Sequence, residues 1–253
     1  MSVILGIDAA WTRRNKSGVA LAVKSGSDWQ LVKVAPSYEL FLGTPEPSGD
    51  VLAAKLLERS KELAGEDVSL VTVDMPMSLD PITCRRESDN AVSRTYGSRH
   101  ASTHTPSEVR PGRVSTELRD GFCRCGYRLK TKGYDGFLAE VYPHPALIEY
   151  MNISRRSPYK YAKRRKYWPY EAPSVRLRKL REEWARILQC LDQRLPGAVS
   201  HLPSLPEGSS GKDMKAYEDM LDAVVCACVG ISILNGDAEG FGDGVSTIWI
   251  PKA

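Results

Sequence analysis

The chain has 253 residues, 42% hydrophobic and 26% charged, with a net charge of +4, the profile of an ordinary water-soluble globular protein rather than a disordered or fibrous one. No apolar run reaches the roughly 18 residues needed to span a membrane. The start, Met-Ser-Val-Ile-Leu-Gly-Ile-Asp, lacks the basic lead of a signal peptide, and six cysteines in a chain of this length without a secretion signal are not a disulfide framework, so cytoplasmic residence is expected.

In chain order, Val3–Ala9, Gly18–Lys24 and Trp29–Ala35 predict three strands joined by links short enough for antiparallel neighbours. Val51–Ala64 predicts a helix, with Leu52, Leu56, Leu57 and Leu63 near helical spacing, and Ser69–Asp74 a buried strand stopped by Pro76. From about 80 to 135 clear periodicity is lost, and this Arg-, Ser- and Gly-rich stretch reads as a long insertion over one sheet edge. Phe137–Tyr142 predicts a further strand, Leu147–Met151 one or two helical turns, Val175–Leu195 an amphipathic helix, Tyr217–Leu234 a helix dense in Ala, Val and Cys, and Val245–Ile250 a closing strand. The sum is a single α/β domain over 1–253, a mixed sheet of five core strands with helices on both faces.

Charge is unevenly placed. From Met151 to Arg186 twelve basic residues face three acidic ones, a local excess of nine that leaves −5 for the rest of the chain, and such asymmetry suits an anionic partner. Within it, 154–170 interleaves seven basic residues, Lys160, Arg164 and Arg165 among them, with Tyr159, Tyr161, Tyr167, Trp168 and Tyr170. Cations for backbone and rings for bases are what single-strand binding uses; docking of the rings on the core is the alternative.

The chemistry rests on acids. Asp8 and Asp74 end two apolar strands, and Asp219 and Asp222 lie three apart at the predicted start of the last helix, where they would share a face and meet its favourable dipole. Converging carboxylates raise one another's pKa unless a cation is present, and hard oxygen donors suit magnesium or manganese, as in two-metal phosphoryl chemistry. Glu140, on its own strand, reads as a fifth ligand, a substrate contact or the partner of an arginine. His104, in Ser102-Thr103-His104-Thr105-Pro106, is the candidate general acid or the cap of a turn. Arg85 and Arg99 in the insertion are candidate phosphate contacts, and Trp11 either shields the metals or stacks on substrate. Cys123-Arg124-Cys125 is one residue too tight for a zinc knuckle.

Leu5-Gly6-Ile7-Asp8 followed by an apolar strand at Gly18–Val23 resembles the opening hairpin of the RNase H-like superfamily, and Asp219-x-x-Asp222-Ala223 resembles the C-terminal motif of RuvC-type resolvases, which carry Glu where this chain has Asp74. More closely, Gly6-Ile7-Asp8-Ala9-Ala10-Trp11, Val73-Asp74-Met75-Pro76, Cys84-Arg85-Arg86-x-x-Asp89, Ser102–Pro106, Glu140–Pro145, Tyr159-Lys160 and Glu218–Ala223 resemble an uncharacterised family labelled predicted RNase H-like nuclease. The resemblance implies an RNase H-like fold, Asp8, Asp74, Asp219 and Asp222 as magnesium or manganese ligands, and nuclease activity on DNA or RNA; a resolvase-like scaffold would also make a homodimer plausible. The rival expectations are a non-catalytic nucleic-acid-binding module on the same scaffold, and a phosphotransferase of the actin-like and sugar-kinase type, whose phosphate loops would have to come from Gly240–Gly244.

Overall fold

The computed structural model describes residues 1–47, 49–133 and 135–252; Tyr134, which ends the predicted insertion, and Ala253 lie outside the described residues. Seven strands form one mixed sheet in the order β3-β2-β1-β4-β5-β7-β6. β1 (Ser2–Asp8), β2 (Gly18–Ser25) and β3 (Asp28–Ala35) are an antiparallel meander, as their short links require. β4 (Leu70–Val73), β5 (Leu138–Val141) and β7 (Thr247–Pro251) run parallel to β1, and β6 (Ala238–Gly242) closes the edge antiparallel to β7. The sheet is therefore wider than the five strands expected. Segment 240–244, considered above as a phosphate loop, instead forms the end of β6 and the turn into β7.

Strand alternation builds a core on each face. Val3, Leu5 and Ile7 of β1, Val71 and Val73 of β4, and alternate residues of β2 pack with α1 (Tyr38–Leu42), α2 (Gly49–Ala64) and Leu118 and Phe122 of a helix in the insertion. Ile4, Ala20, Ala22, Leu70, Ala139 and Val141 face the other way. The insertion is not irregular: it holds α3 (Glu87–Tyr96), whose Val92 and Tyr96 pack on Ile248 and Ile250 of β7, and α4 (Arg113–Arg124), which packs on α2. α5 (Pro143–Tyr150) starts on its prolines, where a missing N–H costs nothing. A 3₁₀ turn (Tyr161–Lys163) and α6 (Arg164–Tyr167) carry the basic segment into α7 (Pro173–Asp192), whose Leu180, Trp184, Ile187, Leu188 and Leu191 form one buried stripe. After α8 (Ala198–His201) comes α9 (Gly211–Asn235), the long central helix of the second face.

Glycines decide how close α9 comes to the sheet. A Cβ on Gly6 would stand 2.6 Å from Ala223 O and from Ala227 N, one on Gly18 would overlap the backbone of Asp219, and one on Gly230 would stand 2.7 Å from Ile4 Cγ2. The helix thus lies almost on the backbone of β1 and β2, and the Thr72 hydroxyl donates to Cys226 O at 2.8 Å to tie β4 to it. That contact fixes which helix residues reach the strand ends.

Candidate functional site

β1 and β4 are adjacent and parallel, Ile7 opposite Val73, and the Asp74 N–H donates to Ile7 O at 2.9 Å. Asp8 and Asp74 therefore stand side by side at the carboxyl ends of two neighbouring strands. α9 crosses the same end and adds Asp219 and Asp222, the latter fully buried. Their charges are linked: Asp8 feels Asp222, Asp219 and Asp74, and both Asp74 and Asp219 feel Asp222. The local setting of the two acids on α9 differs from the prediction. α9 begins at Gly211, capped by Ser210, which accepts from Asp213 N at 3.2 Å while Asp213 accepts from Ser210 N. Asp219 and Asp222 lie in the third and fourth turns, beyond reach of the N-terminal dipole that the sequence reading invoked. Their charge is met by side chains instead.

The Lys160 ammonium pairs with Asp222 and stands 3.6 Å from Glu218, while the Tyr159 hydroxyl donates to Asp222 Oδ1 at 2.6 Å. Lys215, one turn before, pairs with Asp219 and with Glu218 at 3.1 Å, and the Tyr161 N–H donates to the second oxygen of Glu218 at 2.6 Å. Burial alone would lower Lys160, but Asp222, Tyr159, Glu218 and Asp8 outweigh it and hold the ammonium well above its ordinary value. Five carboxylates (Asp8, Asp74, Asp219, Asp222 and Glu218) thus face two ammonium groups. Among the described residues, neither Asp8 nor Asp74 accepts a hydrogen bond or ion pair of its own. Burial, then Asp222, pushes Asp74 up to about 7 and moves Asp8 well above the carboxylate range, with Asp219 raised by burial in the same sense despite Lys215. Excess negative charge and unshared hard oxygens are what a divalent cation would relieve. Among the described residues, however, no group of three or more His, Cys, Asp or Glu is arranged so that it could hold a metal ion; the lysines hold part of the cluster.

Glu140 is placed otherwise. Its two oxygens accept from Arg86 Nη1 and Nη2 at 2.6 and 2.8 Å, and Oε2 also accepts from Met77 N at 2.7 Å. Arg86 gives its remaining N–H groups to Asp89, at 3.0 and 2.9 Å, and to Met77 O, at 2.7 Å. All three side chains are buried. Of the readings open for Glu140, the arginine pair is the one observed; its charge reaches Asp74 but its oxygens are taken.

The predicted substrate contacts divide. Tyr159 is fully buried and its carbonyl accepts from Trp184 Nε1 at 2.8 Å, so the ring cannot stack on a base; it positions Asp222. Lys160 is spent on the acids. Arg85 is bound to Asn90, Ser93, Thr103 and Thr105, Arg99 to Glu149 and Ile153 O, and Arg164 lies over the Tyr161 ring at 3.9 Å with a bond to Tyr161 O. These are braces of the fold. Arg165 is exposed, and Trp168 packs on the core. Trp11, half-buried, meets the exposed His104 edge to face at 6.4 Å, with the Arg110 guanidinium 5.8 Å from its ring. Burial, then Lys163, Arg156 and Arg110, lower the His104 pKa and keep its imidazole neutral. His144 is buried, lowered further by burial and by Arg156, and its Nδ1 has no partner.

Lys215 and Glu218 were given no role from the sequence, nor was Arg110, while Arg156 and Lys163 entered only as members of the basic segment 154–170. For the first two a signal existed: Lys215, Glu218, Asp219 and Asp222 recur at helical spacing on one face. The six cysteines are unpaired, and no described helix is long and apolar enough to cross a membrane. No curated protein and no solved structure matches the chain. A family profile does, over residues 6–247, and the chain therefore belongs to the family described as protein of unknown function, DUF429.

Proposed function

We propose that this protein is a divalent-metal-dependent phosphodiester hydrolase acting on nucleic acid from an RNase H-like sheet. The observation that carries the reading is the convergence of Asp8, Asp74, Asp219 and Asp222 from β1, β4 and α9 with more negative charge than Lys160 and Lys215 balance. The antiparallel meander with parallel β4 beside it, acids at the ends of β1 and β4, supports the fold assignment. Those four carboxylates would hold magnesium or manganese, which when bound polarises a phosphoryl oxygen and makes a water acidic enough to attack. The chain's own groups do the rest. Lys160 and the Tyr159 hydroxyl fix Asp222 as a charged, oriented carboxylate. His104, whose pKa burial and the neighbouring cations lower, would serve as a proton carrier for water or the leaving group.

The pairing of Lys160 and Lys215 with the acids favours a second reading, a nucleic-acid-binding module whose ammonium groups stand permanently where a cation would. One experiment separates the two. Labelled single-stranded, duplex, hybrid and branched substrates are incubated with magnesium or manganese beside Asp8→Asn and Asp222→Asn proteins. Metal-dependent cutting, reduced at least about a hundredfold in both variants, is expected; binding without cutting, unchanged by either substitution, would leave the module.

A further inference from the structure

Among the described residues, the cations Arg86, Arg85, Arg99, Lys160 and Arg164 all have partners. Three beside the carboxylate cluster do not. Among the described residues, the side chains of Arg110, Arg156 and Lys163 make no ion pair with an acid. Arg156 is half-buried and its Nε is enclosed without a hydrogen-bond partner, its main chain held by a 2.9 Å bond from its N–H to Arg99 O. The three come from different parts of the chain, Arg110 from the insertion and the others from the basic segment, yet all lie close enough to His104 for their charges to reach it. His104 feels Lys163, Arg156 and Arg110 together, and Trp11 fixes the side on which Arg110 lies. Burial and then Arg156, Lys160 and Lys166 lower Lys163; the acid that opposes them, Glu218, is already shared by Lys215, Lys160 and Tyr161 N. Arg156 in turn lies near the acids, since Tyr142 feels both Arg156 and Asp74.

Converging cations without an internal counter-ion repel one another, and an anion from solution relieves that repulsion. A guanidinium with an unshared N–H suits a phosphate oxygen in particular. We infer that Arg110, Arg156 and Lys163, with the His104 imidazole beside them, dock a backbone phosphate other than the one held at the carboxylates. This rests on the nuclease reading and narrows its substrate to oligonucleotides, which carry a second phosphate, over phosphomonoesters of a neutral alcohol.

The test is binding of a labelled single-stranded oligonucleotide to the full chain in chelator, where nothing turns over, across a salt series. Arg156→Gln and Lys163→Gln are each expected to weaken binding about tenfold and to flatten the dependence of log K on log salt by ~0.7. Arg110→Gln, at an exposed side chain that cannot unfold the protein, should do the same, while Arg155→Gln, an exposed neighbour, changes affinity less than about twofold. A 5′-phosphorylated dinucleotide should bind the wild type about tenfold tighter than a mononucleotide, with the gap closing in Arg156→Gln. Equal losses in the Arg110, Arg156 and Arg155 variants, or a gap unaffected by Arg156→Gln, would overturn the site. Cutting that is lost in Asp8→Asn but untouched in the three variants would sink the docking site and leave the nuclease; the binding shifts without cutting under any metal would do the reverse.

Discussion

Two groups of buried and half-buried acids sit at the same end of this sheet, and they have opposite fates. Glu140 on β5 and Asp89 on α3 close around Arg86, whose five side-chain N–H groups all find an oxygen. Asp74 and Asp8, one and two strands away, accept nothing among the described residues, and the acids they meet on α9 share two lysines among three carboxylates. Position at a strand end is common to both groups. Compensation is what differs: a group whose lone pairs are all taken holds the fold, whereas a group left with surplus charge is poised for something from solution.

The largest effect should come from breaking the satisfied group. Arg86→Met leaves Glu140 and Asp89 buried with no counter-charge, and a loss of about 3–5 kcal/mol is expected from urea unfolding. A loss below about 1 kcal/mol would mean that water reaches these acids and that the contrast between the groups is false. Asp74→Asn probes the other side. Asp74 is pushed up to about 7 from an ordinary 3.8, by burial and by Asp222. Between those values the folded protein keeps a proton that the unfolded chain releases, so this stabilisation is full below 3.8 and is lost as the pH rises through 7. Asparagine carries no such charge. In chelator, the stability of the variant relative to wild type should climb from pH 4 to pH 7 by up to about 1.4 kcal/mol per unit. His144, buried and neutral, works in the opposite sense below its ordinary pKa, but equally in both proteins, so it cancels. A flat difference would mean that the fold does not hold the Asp74 carboxyl above its ordinary value. Tyr159→Phe should act more mildly, since it removes one donor from Asp222 without a cavity: about 1–2 kcal/mol in stability and about tenfold in magnesium affinity by calorimetry. Unchanged affinity would show that Tyr159 belongs to the core alone.

How far these groups could be told apart from sequence follows from the range of the contacts. Asp8 and Asp74 announce themselves because an apolar run stops on a carboxylate, and Asp219 and Asp222 by helical spacing. The meander, β4, α2 and α7 are legible for the same reason, a period of 2 or 3.6 within a few residues. The pairing of Arg86 with Glu140 spans 54 positions and is made by β5 lying beside β4, which no local pattern encodes. α3 and α4 escaped because their buried faces are partly polar or small, Ser88, Asp89, Val92 and Tyr96 on one and Ser115, Leu118, Gly121 and Phe122 on the other. β6, Ala-Glu-Gly-Phe-Gly, owes its strand to the hairpin with β7 rather than to alternation. The start of α9 was signalled by Ser210 and Asp213, a capping box inside a stretch that reads as linker. In the basic segment, rings and cations are equally suited to a surface or a core, and only packing shows that Tyr159 turns inward.

The smallest effect is the most discriminating. Lys215 is about half exposed, at 52%, and its pairs with Glu218 and Asp219 contribute no more than about 1 kcal/mol once water screens them. Lys215→Met should therefore unfold almost where the wild type does. It should nonetheless change the site, because Asp219 then faces Asp8 and Asp222 without its ammonium. If the surplus charge is there to receive a cation, removing a competitor deepens the negative potential, and magnesium or manganese should bind about three- to tenfold tighter by titration calorimetry. If Lys215 is instead a fixed counter-ion, as Arg86 is for Glu140, the substitution lowers stability and leaves metal affinity unchanged or weaker. The sign of that one shift decides whether the two groups of acids differ in kind or only in how many cations each has been given.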